Sequence, residues 1–180
     1  MMMSVLTAGG IPPLTDDERT PDESNPRGYF ELEKVKNLRK DRSFLSEAVG
    51  RVVKIVSPLL KLLPPEYSYK VIFMERNIRE VLASQRQMMI RRGELAPDDD
   101  EKMAEIYVRH LQDVKSWLSR QPNIEVIYVS YNEVLTSAPA YIENINHFLG
   151  NGLDAPAMLS AVDRSLYRQR NTDTAVENQQ

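Results

Sequence analysis

The chain has no cysteine. Disulfides, thiolate metal ligands and cysteine nucleophiles are therefore excluded, and a reducing compartment is permitted. Nor is there an excess of positive charge: 23 Lys and Arg stand against 26 Asp and Glu, for a formal net charge of −3. A balance of that kind supplies no broad basic field to hold nucleic acid or an anionic membrane. No apolar run approaches the roughly 20 residues that a membrane-spanning helix needs. The first ten residues are apolar but lack a basic leader and a cleavage pattern, so a cytoplasmic location is expected. Histidine is scarce, with only His110 and His147. There is no internal repeat.

What is present is an ordinary globular composition. Hydrophobic residues make up 42% and charged residues 27% of 180 residues, enough for one domain with a substantial core. The most informative stretch runs from Tyr69 to Gly93. Val71, Ile72, Phe73 and Met74 form a continuous apolar run, the pattern of a strand buried on both faces of a parallel sheet. Asn77 suits a helix N-cap, with Glu80 where a capping box places its acid. Ile78, Val81, Leu82, Met88 and Met89 then keep to one helical face, and Gly93 stops the helix. Arg76 is thereby delivered to the carboxyl edge of a sheet, where open α/β folds bind ligands.

Elsewhere the chain alternates in the same way. Residues 1 to 9 read as a short apolar helix stopped by Gly9 and Gly10, and residues 14 to 28 as an irregular loop rich in Asp, Glu and Pro. Val52, Val53, Ile55 and Val56 predict a short strand, and Pro58 to Pro65 a Leu-rich helical turn. Met103, Tyr107, Leu111, Val114 and Leu118 mark a long amphipathic helix, and Ile124 to Val129 a further strand. Ser137 is placed to cap the next helix, with Pro139 in its first turn. A last helical piece from Ala155 to Arg164 leads into a polar tail, 171–180, expected to be disordered. The fold class is α/β, with helices layered on a parallel sheet.

Most of the chemistry-bearing residues have plain structural readings. The run Asp98–Glu101 is a cap with favourable dipole contacts rather than a metal site, since no second ligand cluster accompanies it. The two histidines lie within predicted helices at no catalytic spacing and read as surface or interface residues. Tyr131 reads as a packing residue with a satisfied hydroxyl.

The Tyr69–Gly93 segment resembles the 3′-phosphate-binding element of the sulfotransferases that use 3′-phosphoadenosine 5′-phosphosulfate (PAPS). In that family a hydrophobic strand ends in Arg, a helix starts, and a Ser eight residues on joins the Arg at the phosphate; here these are Arg76 and Ser84. A guanidinium fork and helix N–H groups suit phosphate oxygens. The opening Met1–Pro12 is similar to the helix after the phosphate loop of bacterial members. Asn25-Pro26-Arg27-Gly28-Tyr29-Phe30-Glu31 is similar to their substrate-side loop, and Ile124–Tyr131 with His147-Phe148-Leu149-Gly150 to their late strand and helix. The resemblance covers residues 1–170.

It implies a three-layer sulfotransferase-like domain and sulfo-group transfer from PAPS to a hydroxyl or amine on a small-molecule, glycan or peptide acceptor, with no metal. Arg76 and Ser84 become the cofactor-binding residues. Glu31 becomes the candidate base for the acceptor proton, against a plainer reading as a solvated acid beside Lys34. Arg27 is placed to meet an anionic group in the same loop, and Arg164, Arg168 and Arg170 to fold over the nucleotide, although the family's Gly- and Lys-bearing C-terminal motif is not present in clear form.

The signature phosphate loop and its central strand belong immediately before Met1. The expectation is a longer parent chain, and for these 180 residues alone marginal stability and no activity. Two other readings stay open: a P-loop kinase-like phosphotransferase, which needs a Mg²⁺-binding Ser/Thr and acid, and a non-catalytic remnant.

Overall fold

The computed structural model describes residues 1–16, 18, 28–91, 93–95 and 99–163. The expected strand forms as β1, Tyr69–Glu75, and pairs in parallel with β2, Ile124–Ser130. Register runs from Tyr69 opposite Ile124 to Glu75 opposite Ser130. Between them the chain passes through two helices, α2 (Ile78–Arg91) and α3 (Asp100–Leu118). A parallel pair needs such a crossover, because a tight hairpin can join only antiparallel strands.

Side-chain alternation along the strands sorts the core into two layers. Phe73, Val71, Ile124 and Val126 pack on one face with Val114 and Leu118 of α3 and Leu60 of the 3-10 segment Ser57–Leu62. Ile72, Met74, Ile127 and Val129 pack on the other, against α1 (Met2–Ala8), α4 (Tyr131–Thr136), α5 (Ala138–Phe148) and α6 (Ala155–Ser160). Helices thus cover both faces of the sheet. A third cluster gathers Leu14, Leu32, Val35, Leu38, Phe44 and Leu45, with Ile55, Leu59 and Leu62 packed against it. Its residues come from the 3-10 segments Glu33–Asn37 and Ser43–Leu45 and the chain around them.

The helix ends follow local chemistry. Asn77 Oδ1 accepts from the Arg79 N–H at 2.9 Å, so it caps α2 as expected. At the other end Glu94 N–H donates to Met89 and Gly93 N–H to Ile90, a Schellman closure. That closure needs Gly93 at φ +70°, where a side chain is strained. Asp99 caps α3 by accepting from Lys102 N–H at 2.8 Å, and Asp100 and Glu101 fill its first turn. The described part of the acidic run is therefore a cap, and among the described residues no group of three His, Asp or Glu is placed to hold a metal.

Four expectations need correction. Val52–Val56 is not a strand: Val52 makes one isolated parallel bridge to Pro13, with Leu14 N–H donating to Val52 O and Val52 N–H to Pro12 O, both at 3.0 Å. Pro13 has no N–H to extend a ladder, and Pro58 soon ends the extended run. The capping box does not close, because Glu80 turns inward instead of back to Asn77. Ser137 stands at the N-cap of α5 without a side-chain hydrogen bond, while Pro139 occupies the first turn. The run Val71–Met74 is fully buried only at Phe73, and β2 is β1's only sheet neighbour among the described residues. The tail 171–180 lies outside the described residues.

Gly9 shows how tightly α1 meets α6. A Cβ at Gly9 would stand 2.7 Å from Cγ of Met158, a fully buried side chain. Gly9→Ala is expected to lower stability by about 1–3 kcal/mol through overpacking, read as a shift of the urea midpoint. A midpoint within error of the parent would show that Met158 yields freely. No described helix is long and apolar enough to cross a membrane.

Candidate functional site

The two strands end side by side, and each hands the chain straight to a helix. Arg76 follows Glu75 at the end of β1, and Tyr131 follows Ser130 at the end of β2. Ser130 Oγ accepts from Glu133 N–H at 3.3 Å, which caps α4 and fixes the turn carrying Tyr131 and Asn132. These residues meet. The Arg76 guanidinium lies 4.9 Å from the Tyr131 ring centre, within cation–π range.

Glu80 holds the arrangement together. It lies one helical turn beyond Arg76 and is only 3% exposed. Its Oε2 accepts from Arg76 Nε at 3.2 Å, and its Oε1 accepts from Asn132 Nδ2 at 3.1 Å. One buried carboxylate therefore ties the end of β1 to the start of α4. A charge this deep is tolerated only when it is paired and hydrogen-bonded. Burial pushes the Tyr131 hydroxyl above its ordinary pKa, with the Arg76 charge opposing the shift.

The bond to Nε leaves the two terminal nitrogens of Arg76 without a hydrogen-bond partner among the described residues. Its side chain is 26% exposed. A guanidinium clamped by its inner nitrogen, with its outer fork uncommitted, is prepared for a bidentate anion. Ser84 is exposed on α2, one turn past Glu80 and on the same helical face. No hydrogen bond joins Ser84 to Arg76.

Glu31 sits apart from this network, in the chain before the segment Glu33–Asn37. Its carboxylate pairs with Lys54 Nζ at 3.2 Å, and the same ammonium donates to Tyr29 O at 3.0 Å. The pairing partner is thus Lys54, whereas Lys34 stands 4.0 Å from Glu47. Phe30, just before it, has φ +50°, a left-handed conformation uncommon for an aromatic residue. Arg27, Arg164, Arg168 and Arg170 lie outside the described residues.

The histidines are accounted for by their partners. His110 Nε2 and Ser57 Oγ hydrogen-bond at 2.9 Å, joining α3 to the segment Ser57–Leu62. His147 Nδ1 lies 3.4 Å from Asn151 Nδ2 at the end of α5. Beside the candidate site, Lys115 of α3 pairs with Glu75 and stacks 5.0 Å from the Tyr128 ring.

Sequence reasoning missed Glu80 and Asn132 as members of the site. Glu80 carried one usable signal, an acid four residues after an arginine at a helix start, the spacing of an ion pair. Asn132 carried none, because its partner is 52 residues away.

Residues 47–179 match the family model of the sulfotransferase domain. No curated protein and no solved structure gives a match. The matched span takes in β1, β2, Arg76, Glu80 and Ser84, and leaves out Glu31. Since it covers nearly three-quarters of the chain and both strands that frame the arginine, this chain belongs to the sulfotransferase family, whose chemistry is the transfer of a sulfo group.

Proposed function

We propose that this domain serves sulfo-group transfer from PAPS to a hydroxyl or amine, on a small-molecule, glycan or peptide acceptor in the cytoplasm. Arg76 and Ser84 hold the 3′-phosphate of the nucleotide. The observation that carries the reading is the clamp on Arg76: buried Glu80 occupies Nε and leaves the outer fork for a phosphate. Ser84 follows one turn along the same face, where a hydroxyl can donate to the same anion.

Transfer at sulfur needs an in-line approach, a base for the acceptor proton and stabilisation of the leaving phosphate. Glu31 is the base in this reading. Its ion pair with Lys54 at 3.2 Å fixes the position of the carboxylate. No metal is required.

Arg76→Ala is expected to weaken binding of adenosine 3′,5′-bisphosphate by more than tenfold, which is about 1.4 kcal/mol. Arg76→Lys keeps the charge but not the fork, and its affinity should fall between the two. Calorimetric titration reads both variants. An unchanged affinity in a folded Arg76→Ala protein would remove Arg76 from the site.

A further inference from the structure

A second charged feature lies on elements that the clamp does not use. The protein is net acidic, yet Lys34, Lys36, Arg39, Lys40 and Arg42 crowd into one short stretch. The nearby acids are engaged: Glu33 pairs with Lys36 at 2.6 Å, and Asp41 accepts from Ser43 N–H at 2.9 Å. That bond holds the Asp41 carboxyl below its ordinary pKa. Arg39, Lys40 and Arg42 have no ion pair among the described residues. Lys34 stands 4.0 Å from Glu47, so the patch consists of Arg39, Lys40 and Arg42, with the Asp41 carboxylate among them.

The patch borders an apolar wall. Lys36, Asn37, Arg39 and Lys40 line a groove of about 420 Å³ together with Pro58, Leu59 and Leu62. Leu59 and Leu62 rest on the buried cluster around Leu38 and Phe44, so this wall has a packed backing. Cations and a backed apolar surface lining one groove suit a ligand with an anionic head and a hydrocarbon body.

We propose that this groove binds one soluble anionic amphiphile, an acyl-chain molecule with a carboxylate or sulfate head. Its head meets Arg39 and Lys40, and its chain lies along Pro58, Leu59 and Leu62. The groove volume of about 420 Å³ lies within the roughly 300–1,000 Å³ of small-molecule sites. A membrane is the poorer partner, because the whole protein carries net charge −3 and would be repelled by an anionic bilayer. The site is independent of the nucleotide reading.

Calorimetry on the 180-residue chain with sub-micellar decanoate, neutral decanol and anionic phospholipid vesicles tests this. Decanoate should saturate at one per chain, at least tenfold tighter than decanol, with little binding to vesicles. Arg39→Glu combined with Lys40→Glu should weaken decanoate at least tenfold and leave decanol within about twofold. Absence of saturable decanoate binding, equal affinities for the two probes, or a folded double variant that binds decanoate normally would overturn the proposal. Vesicle binding without decanoate binding would overturn it in favour of a lipid surface. If the double variant does not fold, the decanoate-to-decanol ratio in the parent decides.

Discussion

Replacing Glu80 with alanine is expected to lower the unfolding free energy by about 2–3 kcal/mol. The substitution removes two hydrogen bonds at once, from Arg76 Nε and from Asn132 Nδ2. It also leaves the Arg76 charge without its partner and a gap where a side chain is 3% exposed. Breaking a fully buried ion pair costs about 3–5 kcal/mol, and Arg76, about a quarter exposed, brings the figure below that range. Glu80→Gln should cost less, because the amide still offers one acceptor although its NH₂ faces a donor. Urea denaturation of both variants reads the order. A loss below about 0.5 kcal/mol for Glu80→Ala, the range of a neutral surface change, would mean that the network does not join the two strand ends energetically.

Phe44→Ala is expected to cost more, about 3–5 kcal/mol. Phe44 is 1% exposed at the centre of the cluster of Leu14, Leu32, Val35, Leu38 and Leu45. That cluster lies ahead of the span matched by the family model, which starts at residue 47. Its walls nonetheless include Ile55, Leu59, Leu62, Leu63 and Tyr67 from within that span. Tyr69 anchors the same region by donating its hydroxyl to Pro64 O at 2.9 Å, and burial pushes that hydroxyl up to about 12. The early segment is therefore a packed part of the domain. A Phe44→Ala protein that melts near the parent would show instead that residues 32–45 add little to its stability.

The reach of sequence reading here followed the range of the interactions involved. β1 was legible because Val71, Ile72, Phe73 and Met74 announce a strand without help from other elements, and Asn77, Asp99 and Gly93 act on neighbours within a few residues. Val52–Val56 misled because an apolar, β-branched run records burial as readily as pairing. Val52, Val53 and Ile55 pack into the clusters beside β1 and around Phe44, Val56 stays exposed, and only Val52 makes a bridge. Burial called for apolar side chains there, and Pro13 stopped the ladder.

At the site, Arg76 and Ser84 could be picked out from spacing and resemblance, whereas the residues that orient Arg76 could not. Glu80 was assigned to its local N-cap, a role open to any acid in a first turn. Only the fold reveals that Asn132 and Tyr131 stand close enough to draw it inward. Local propensity and tertiary demand competed for one carboxylate, and the tertiary demand prevailed. The pairing of His110 with Ser57 was hidden for the same reason, since those residues are 53 positions apart.

The central claim is that the strand-end arginine recognises a 3′-phosphate, and it is tested most directly by comparing two nucleotides on the unaltered chain. Adenosine 3′,5′-bisphosphate and adenosine 5′-monophosphate differ only in the group that Arg76 and Ser84 are proposed to hold. Calorimetric titration should show the bisphosphate binding more than tenfold tighter, a difference that added salt reduces. Equal affinity for the two nucleotides, or no binding of either, would contradict the claim.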